Sequence, residues 1–145
     1  KLANNVGHQN ALMAGIENAY NNGYDAIITI DADLQDDVHC IKTMVELAKS
    51  GKEIIYGVRR KRVSDTYFKR YSAQMFYSFM RLLGCDIVYN HADFRLMTRK
   101  AVKALLSYPE RNLFLRCLVK DIGLPFGCVH YDRQERKSGK SKYSL

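Results

Sequence analysis

Apolar positions recur along this chain with two periods. Within residues 8–22, Leu12, Ile16, Ala19 and Tyr20 fall on one face of a helix, and Asn22-Gly23 supplies its stop. Residues 26–30 form a short run with β-branched members and no polar alternation, the pattern of a strand covered on both faces. A second helical face follows at Ile41, Met44, Val45 and Ala48, with Asp36 or Asp37 as its cap and Gly51 at its end. Residues 53–57 repeat the short strand pattern. Helix, strand, helix, strand is the rhythm of a doubly wound parallel sheet. The chain opens in a loop that leads into a helix, and two strands cannot cover the apolar faces of their crossover helices. The fold class is therefore α/β, and residues 1–145 read as one partial catalytic domain that lacks its N-terminal strands.

The second half has a different texture. Arg59, Arg60, Lys61 and Arg62 stand in a row, and Lys69 and Arg70 follow. Thr66 caps an expected helix reaching about residue 83, apolar nearly all round and rich in Phe, Tyr and Met. It reads either as a buried or inter-subunit helix or as one that touches lipid or a lipid-linked substrate. Residues 93–97 alternate like a strand, Thr98 caps a helix to about 106, and Pro109 breaks it. Residues 110–122 read as a helix, with Leu113, Phe114, Cys117 and Leu118 inward, and 126–131 as a strand. The tail places Arg133, Arg136, Lys137, Lys140 and Lys142 around Gly139.

The first apolar strand stops abruptly at Asp31-Ala-Asp-Leu-Gln35. In open α/β sheets, ligands bind beyond the carboxyl ends of the strands. Two carboxylates two residues apart would point the same way on an extended backbone. With the amide of Gln35 they form an oxygen ligand set suited to Mg²⁺ or Mn²⁺ shared with substrate phosphates. The same residues also read as a polar loop capping the next helix.

Composition narrows the partners. The 145 residues carry a net charge of +8 in clusters, which implies an anionic partner: nucleic acid, a phosphate-bearing substrate or a membrane surface. No apolar run approaches the roughly 20 residues of a membrane span. Cys40, Cys85, Cys117 and Cys128 form no close pair and lie among apolar residues, so they read as reduced, buried thiols.

Six stretches occur in an order that resembles one family: Asn5-Val-Gly-His-Gln-Asn-Ala-Leu12, Asp31-Ala-Asp-Leu-Gln-Asp36, Tyr56-Gly-Val-Arg-Arg60, Asp93-Phe-Arg-Leu-Met97, Glu110-Arg-Asn-Leu-Phe-Leu-Arg116 and Arg136-Lys-Ser-Gly-Lys-Ser-Lys-Tyr143. Together they resemble family 2 glycosyltransferases of the polyprenyl-phosphate type, the bactoprenol glucosyltransferases and dolichol-phosphate mannosyltransferase-like enzymes. The resemblance implies a GT-A fold, a Rossmann-like mixed sheet with flanking helices. It implies an inverting, metal-dependent hexosyltransferase that moves a sugar from a nucleotide-sugar to undecaprenyl or dolichyl phosphate for the cell envelope. Asp31, Asp33 and Gln35 would hold Mg²⁺ or Mn²⁺, Asp31 would also serve the donor diphosphate, and Asp93 would lie at the reacting centre. The family normally opens with a strand, an acidic nucleotide-binding loop and a second acidic strand end, and usually continues into membrane-spanning helices. This implies an anchored protein on the cytoplasmic side of the membrane, with the isolated segment soluble and inactive.

The remaining assignments follow from charge. A departing diphosphate and a phosphate acceptor both need cations. Arg59 is assigned to both, and Arg70, Arg136 and Lys142 to the acceptor phosphate, Arg offering paired contacts and Lys a point charge. His8 reads as a loop hydrogen-bonding residue, His91 as a residue shaping the acceptor site, and His39 and His130 have no evident partner. The competing class is a non-catalytic basic domain that binds nucleic acid or another anionic partner. Against nucleic acid, the aromatics after Arg62 fall at helical core spacing and no recognition signature is present. Self-association is expected where missing strands would leave a sheet edge open.

Overall fold

The computed structural model describes residues 3–33, 35–60, 75, 91–108 and 115–132, without the side chains of 91, 92, 116 and 117. Its elements run α1 (His8–Asn21), β1 (Ala26–Thr29), α2 (Cys40–Lys49), β2 (Ile54–Arg59), β3 (His91–Thr98), α3 (Arg99–Leu106), α4 (Leu115–Asp121) and β4 (Phe126–Tyr131). The strand and helix periods read from the sequence thus recover every described element, with ends shifted by a few residues. The expected helix at 66–83 lies outside the described residues except for Met75, as does the basic tail from 133.

The four strands form one mixed sheet in the order β1-β3-β2-β4. β3 is antiparallel to both β1 and β2, while β2 and β4 run parallel. The all-parallel rhythm suggested by the first half of the chain is therefore interrupted. A strand from later in the sequence enters between β1 and β2 and runs the other way.

Strand faces explain the layers. Ile54, Tyr56 and Val58 point to one side of β2 and, with Ile27 and Met97, meet Ile16 of α1, Val102 and Leu105 of α3, and Leu115 and Val119 of α4. Ile55, Phe94, Leu96, Val129 and Tyr131 point to the other side and are covered by Met44, with Ile41, Val45 and Ala48, of α2. Both helical faces read from the sequence are the faces used. The strands buried on both sides are β2 and β3, whereas Ala26 and Ile30 at the ends of the β1 run are exposed. β1 lies at an edge of the described sheet, which accounts for that difference.

Local chemistry sets the ends. Gly23 at φ 84° and Gly51 at φ 96° adopt the left-handed conformation that ends α1 and α2. The Thr98 hydroxyl accepts from the Ala101 amide at 3.4 Å and donates to the Glu53 carboxylate, so it caps α3 and ties it to β2. Arg99 lies 4.2 Å over the Tyr20 ring and donates to the Tyr20 carbonyl at 2.9 Å, which pins the end of α1. Cys40 and Cys128 are free thiols, but Cys40 is half-buried and Cys128 exposed instead of buried, at an edge of the described sheet; Cys85 and the side chain of Cys117 lie outside the described residues.

Candidate functional site

The site follows from strand register. Thr29 of β1 is opposite Arg95 of β3, so continuing the antiparallel ladder brings the residues beyond Thr29 alongside those before Arg95. Asp31 and Asp93 meet in this way at the carboxyl end of β1. Thr29 fastens the junction, its buried hydroxyl donating to the Asp93 carbonyl. His8, the first residue of α1, reaches the same point: its Nε2 is 3.5 Å from Asp93 Oδ2. One ligand atom each from His8, Asp31 and Asp93 lies within 4.8 Å of the other two.

Two arginines bound the carboxylates. Arg95, only 1% exposed, donates through Nη2 to Asp93 Oδ1 at 2.7 Å and through Nη1 to the Leu115 carbonyl at 3.4 Å. Asp93 and Arg95 share a face of β3, as expected from their spacing. Arg59, at the end of β2, lies with Nη2 3.0 Å from Asp36 Oδ1 and 3.7 Å from Asp31 Oδ2. The Tyr131 hydroxyl donates to Asp36 Oδ1 at 2.5 Å.

The acidic loop does not continue β1. The chain turns at Ala32 and Asp33, so Asp31 and Asp33 are not successive same-face positions of an extended strand. Asp33 Oδ1 accepts from the Gln35 amide at 3.2 Å, and Gln35 is buried. Asp33 nevertheless lines the same open cavity of about 430 Å³ as His8, Ala11, Leu12, Ile30, Asp31 and Ala32. Helix α2 is not capped by Asp36, whose carboxylate is committed to Arg59 and Tyr131. Asp37 Oδ1 instead accepts from the His39 amide at 3.0 Å, one turn before the helix.

Burial raises the Asp31 carboxyl above its ordinary range, and the nearby carboxylates of Asp36, Asp93 and Asp33 raise it further, against a lowering by Arg59. Negative charge at this point is incompletely compensated by the protein. Two carboxylates and an imidazole, with Asp33 on the cavity wall, are a donor set that fits Mg²⁺ or Mn²⁺, the imidazole suiting Mn²⁺ better.

Of the residues assigned from the sequence, Asp31, Asp33, Gln35, Arg59 and Asp93 gather at this end of the sheet. His39 precedes α2 and His130 is exposed on β4, and neither belongs to the triad. Arg70, Arg136 and Lys142 lie outside the described residues, and so does the side chain of His91. Sequence reasoning missed three participants. His8 read as a loop residue, Asp36 as a helix cap, and Tyr131 only as a member of a strand. The alternation along β4 does place Tyr131 inward beside Val129, which is the one signal that could have found it.

The glycosyl transferase family 2 model matches residues 1–106. Over 145 residues the chain is 53% identical to the uncharacterized glycosyltransferase YkoT of Bacillus subtilis, covering all of this chain and 43% of that protein. It is 36% identical over 141 residues to the bactoprenol glucosyl transferase of Shigella phage SfV, covering 97% of this chain and 45% of that protein. The same identity and coverage hold for the prophage bactoprenol glucosyl transferase homolog of Escherichia coli K12. The chain thus spans less than half the length of these relatives. Among the described residues, no helix is long and apolar enough to cross a membrane.

Proposed function

Because this chain belongs to glycosyl transferase family 2, we propose that the complete protein transfers a sugar, with inversion, from a nucleotide-sugar to a polyprenyl phosphate for modification of a cell-envelope glycan. The observation that carries this reading is the meeting of Asp31, Asp93 and Arg59 beside an open cavity. It occurs in a chain similar over nearly its whole length to bactoprenol glucosyl transferases.

The residues divide the work. Asp31, with Asp33 and Gln35 from the same loop, holds the cation, and His8 is within reach of it. A bound Mg²⁺ or Mn²⁺ offsets charge that develops on the departing diphosphate. Arg59 supplies a guanidinium from the opposite side, where its planar fork suits a phosphate. Asp93, fixed through Oδ1 by Arg95, directs Oδ2 toward the site and orients the reacting groups. Arg59, Arg70, Arg136 and Lys142 receive the acceptor phosphate, the last three on the strength of their charge and place in the sequence alone. Residues 1–145 are the central part of the catalytic domain. The remainder supplies the nucleotide-binding strands and an anchor that keeps the site on the cytoplasmic face of the membrane.

The test is a paired titration of the complete protein. Undecaprenyl phosphate in detergent is expected to bind and to accept sugar only when Mg²⁺ or Mn²⁺ is present. Binding of an oligonucleotide in preference to the phosphate lipid, with no metal-dependent transfer, would replace this reading by that of a basic nucleic-acid-binding domain.

A further inference from the structure

Arg59 is held from behind by a network that the transfer reaction does not require for its own chemistry. The Asp36 side chain is fully buried, at 0% exposure. Its Oδ1 accepts from Tyr131 at 2.5 Å, from Arg59 Nη2 at 3.0 Å and from Arg59 Nε at 3.3 Å. Among the described residues its Oδ2 has no hydrogen-bond partner. The Tyr131 hydroxyl also accepts from Arg59 Nε at 3.3 Å. Tyr131 is itself buried, its ring packed edge-on against Phe94 at 5.6 Å. Three elements, the acidic loop, β2 and β4, therefore converge on one guanidinium.

The network sets a distance. Among the described residues Arg59 is the cation paired with Asp31, yet it is drawn 0.7 Å closer to Asp36, at 3.0 against 3.7 Å. A guanidinium and a divalent cation compete for the same carboxylate oxygens. If Asp36 did not hold Arg59, the nearest carboxylate left to it would be Asp31. A buried carboxylate with one unsatisfied oxygen is costly to keep, and charge-assisted bonds to Arg59 offset that cost only in part.

We propose that Asp36 and Tyr131 are positioning residues that hold Arg59 back from Asp31, keeping the Asp31 carboxylate open to a divalent cation. The inference rests on the reading of Asp31 as a cation ligand. It has an unusual consequence. Neutralising Asp36 weakens cation binding because it frees an internal competitor, so removing that competitor removes the effect.

Mn²⁺ binding to the complete protein, followed by electron paramagnetic resonance without substrates, tests this. Asp36→Asn is expected to weaken Mn²⁺ binding about tenfold, the scale of one charge-assisted contact. Tyr131→Phe, which keeps the ring packing and the Asp36 charge, is expected to weaken it in the same direction by a smaller factor. It serves as the test if Asp36→Asn fails to fold. In an Arg59→Met background, Asp36→Asn and Tyr131→Phe are expected to leave Mn²⁺ binding unchanged. Equal weakening with and without Arg59 would overturn the proposal, since Asp36 would then act directly on the ion or through the fold. Unchanged binding in both single variants would overturn it as well. Asp31→Asn separates the two readings: if it leaves Mn²⁺ binding intact, Asp31 is not a ligand, and the premise fails before the inference.

Discussion

Arg95 Nη2 donates to Asp93 Oδ1 across 2.7 Å, and both side chains are almost wholly buried. Breaking such a pair from one side leaves a charge in the interior without a partner, which costs about 3–5 kcal/mol. Arg95→Met is therefore expected to lower the free energy of unfolding by that amount in urea titrations. Adding Asp93→Asn to it is expected to recover part of the loss, since the stranded charge is then gone.

The same pair bears on the role of Asp93 in transfer. A phosphate monoester has its second pKa near roughly 6, so at neutral pH a phosphate acceptor is mostly a dianion and needs little deprotonation. Asp93→Asn is expected to lower turnover by about tenfold, on the scale of a lost charged contact. That is less than the roughly 10²–10⁴-fold of a lost general base. Lipid binding is expected to be unchanged. Comparing pH–rate profiles of the two proteins checks this: a variant whose loss is recovered at high pH identifies a proton that Asp93 removes.

Gly57 makes the Phe94–Tyr131 packing possible. A Cβ there would lie 2.7 Å from Phe94 Cδ1, 2.9 Å from the Phe94 carbonyl oxygen and 3.1 Å from Tyr131 Cε1. The carbonyl cannot move without disturbing the β2–β3 ladder. Gly57→Ala is expected to cost about 1–3 kcal/mol, as overpacking does, and to weaken the hold of Tyr131 on Asp36. Thermal unfolding alongside Mn²⁺ binding reads both effects.

Two buried tyrosines set an alkaline limit. Burial pushes Tyr56 from its ordinary 10 up to about 12, and burial followed by the bond to Asp36 raises Tyr131 further. Because the folded values lie above the unfolded ones, the unfolded chain loses these protons first. Stability is full below pH 10 and falls as pH rises through the folded values. Tyrosinate absorbance during alkaline titration is expected to show an exposed set ionising ahead of these two. Tyr56→Phe is expected to reduce the alkaline loss of stability.

The helical faces of α1 and α2 and the strand runs of β1, β2 and β4 were legible because one apolar period governs each. The acidic loop stood out in the sequence as a place for chemistry because carboxylates end an apolar strand. What the chain order hides is the place of β3 in the sheet. Its entry between β1 and β2 depends on pairing between residues far apart in sequence, and it is this pairing that brings Asp93 to Asp31. Helix α1 then delivers His8 to the same place, which no local pattern records. Asp36 was misread for a related reason. A carboxylate just before a helix has a local use as a cap, and the tertiary partners Arg59 and Tyr131 displaced it.

The complete protein is proposed to carry out metal-dependent sugar transfer to a polyprenyl phosphate through the Asp31 loop. Mass spectrometry of the lipid products tests it most directly. The complete protein is offered undecaprenyl phosphate, a panel of nucleotide-sugars and Mn²⁺, in parallel with its Asp31→Asn and Asp33→Ala variants. A polyprenyl-phosphate hexose is expected from the wild type, absent without metal and absent from both variants. No glycosylated lipid from any donor, or equal product from the wild type and the variants, would rule out metal-dependent transfer through this loop.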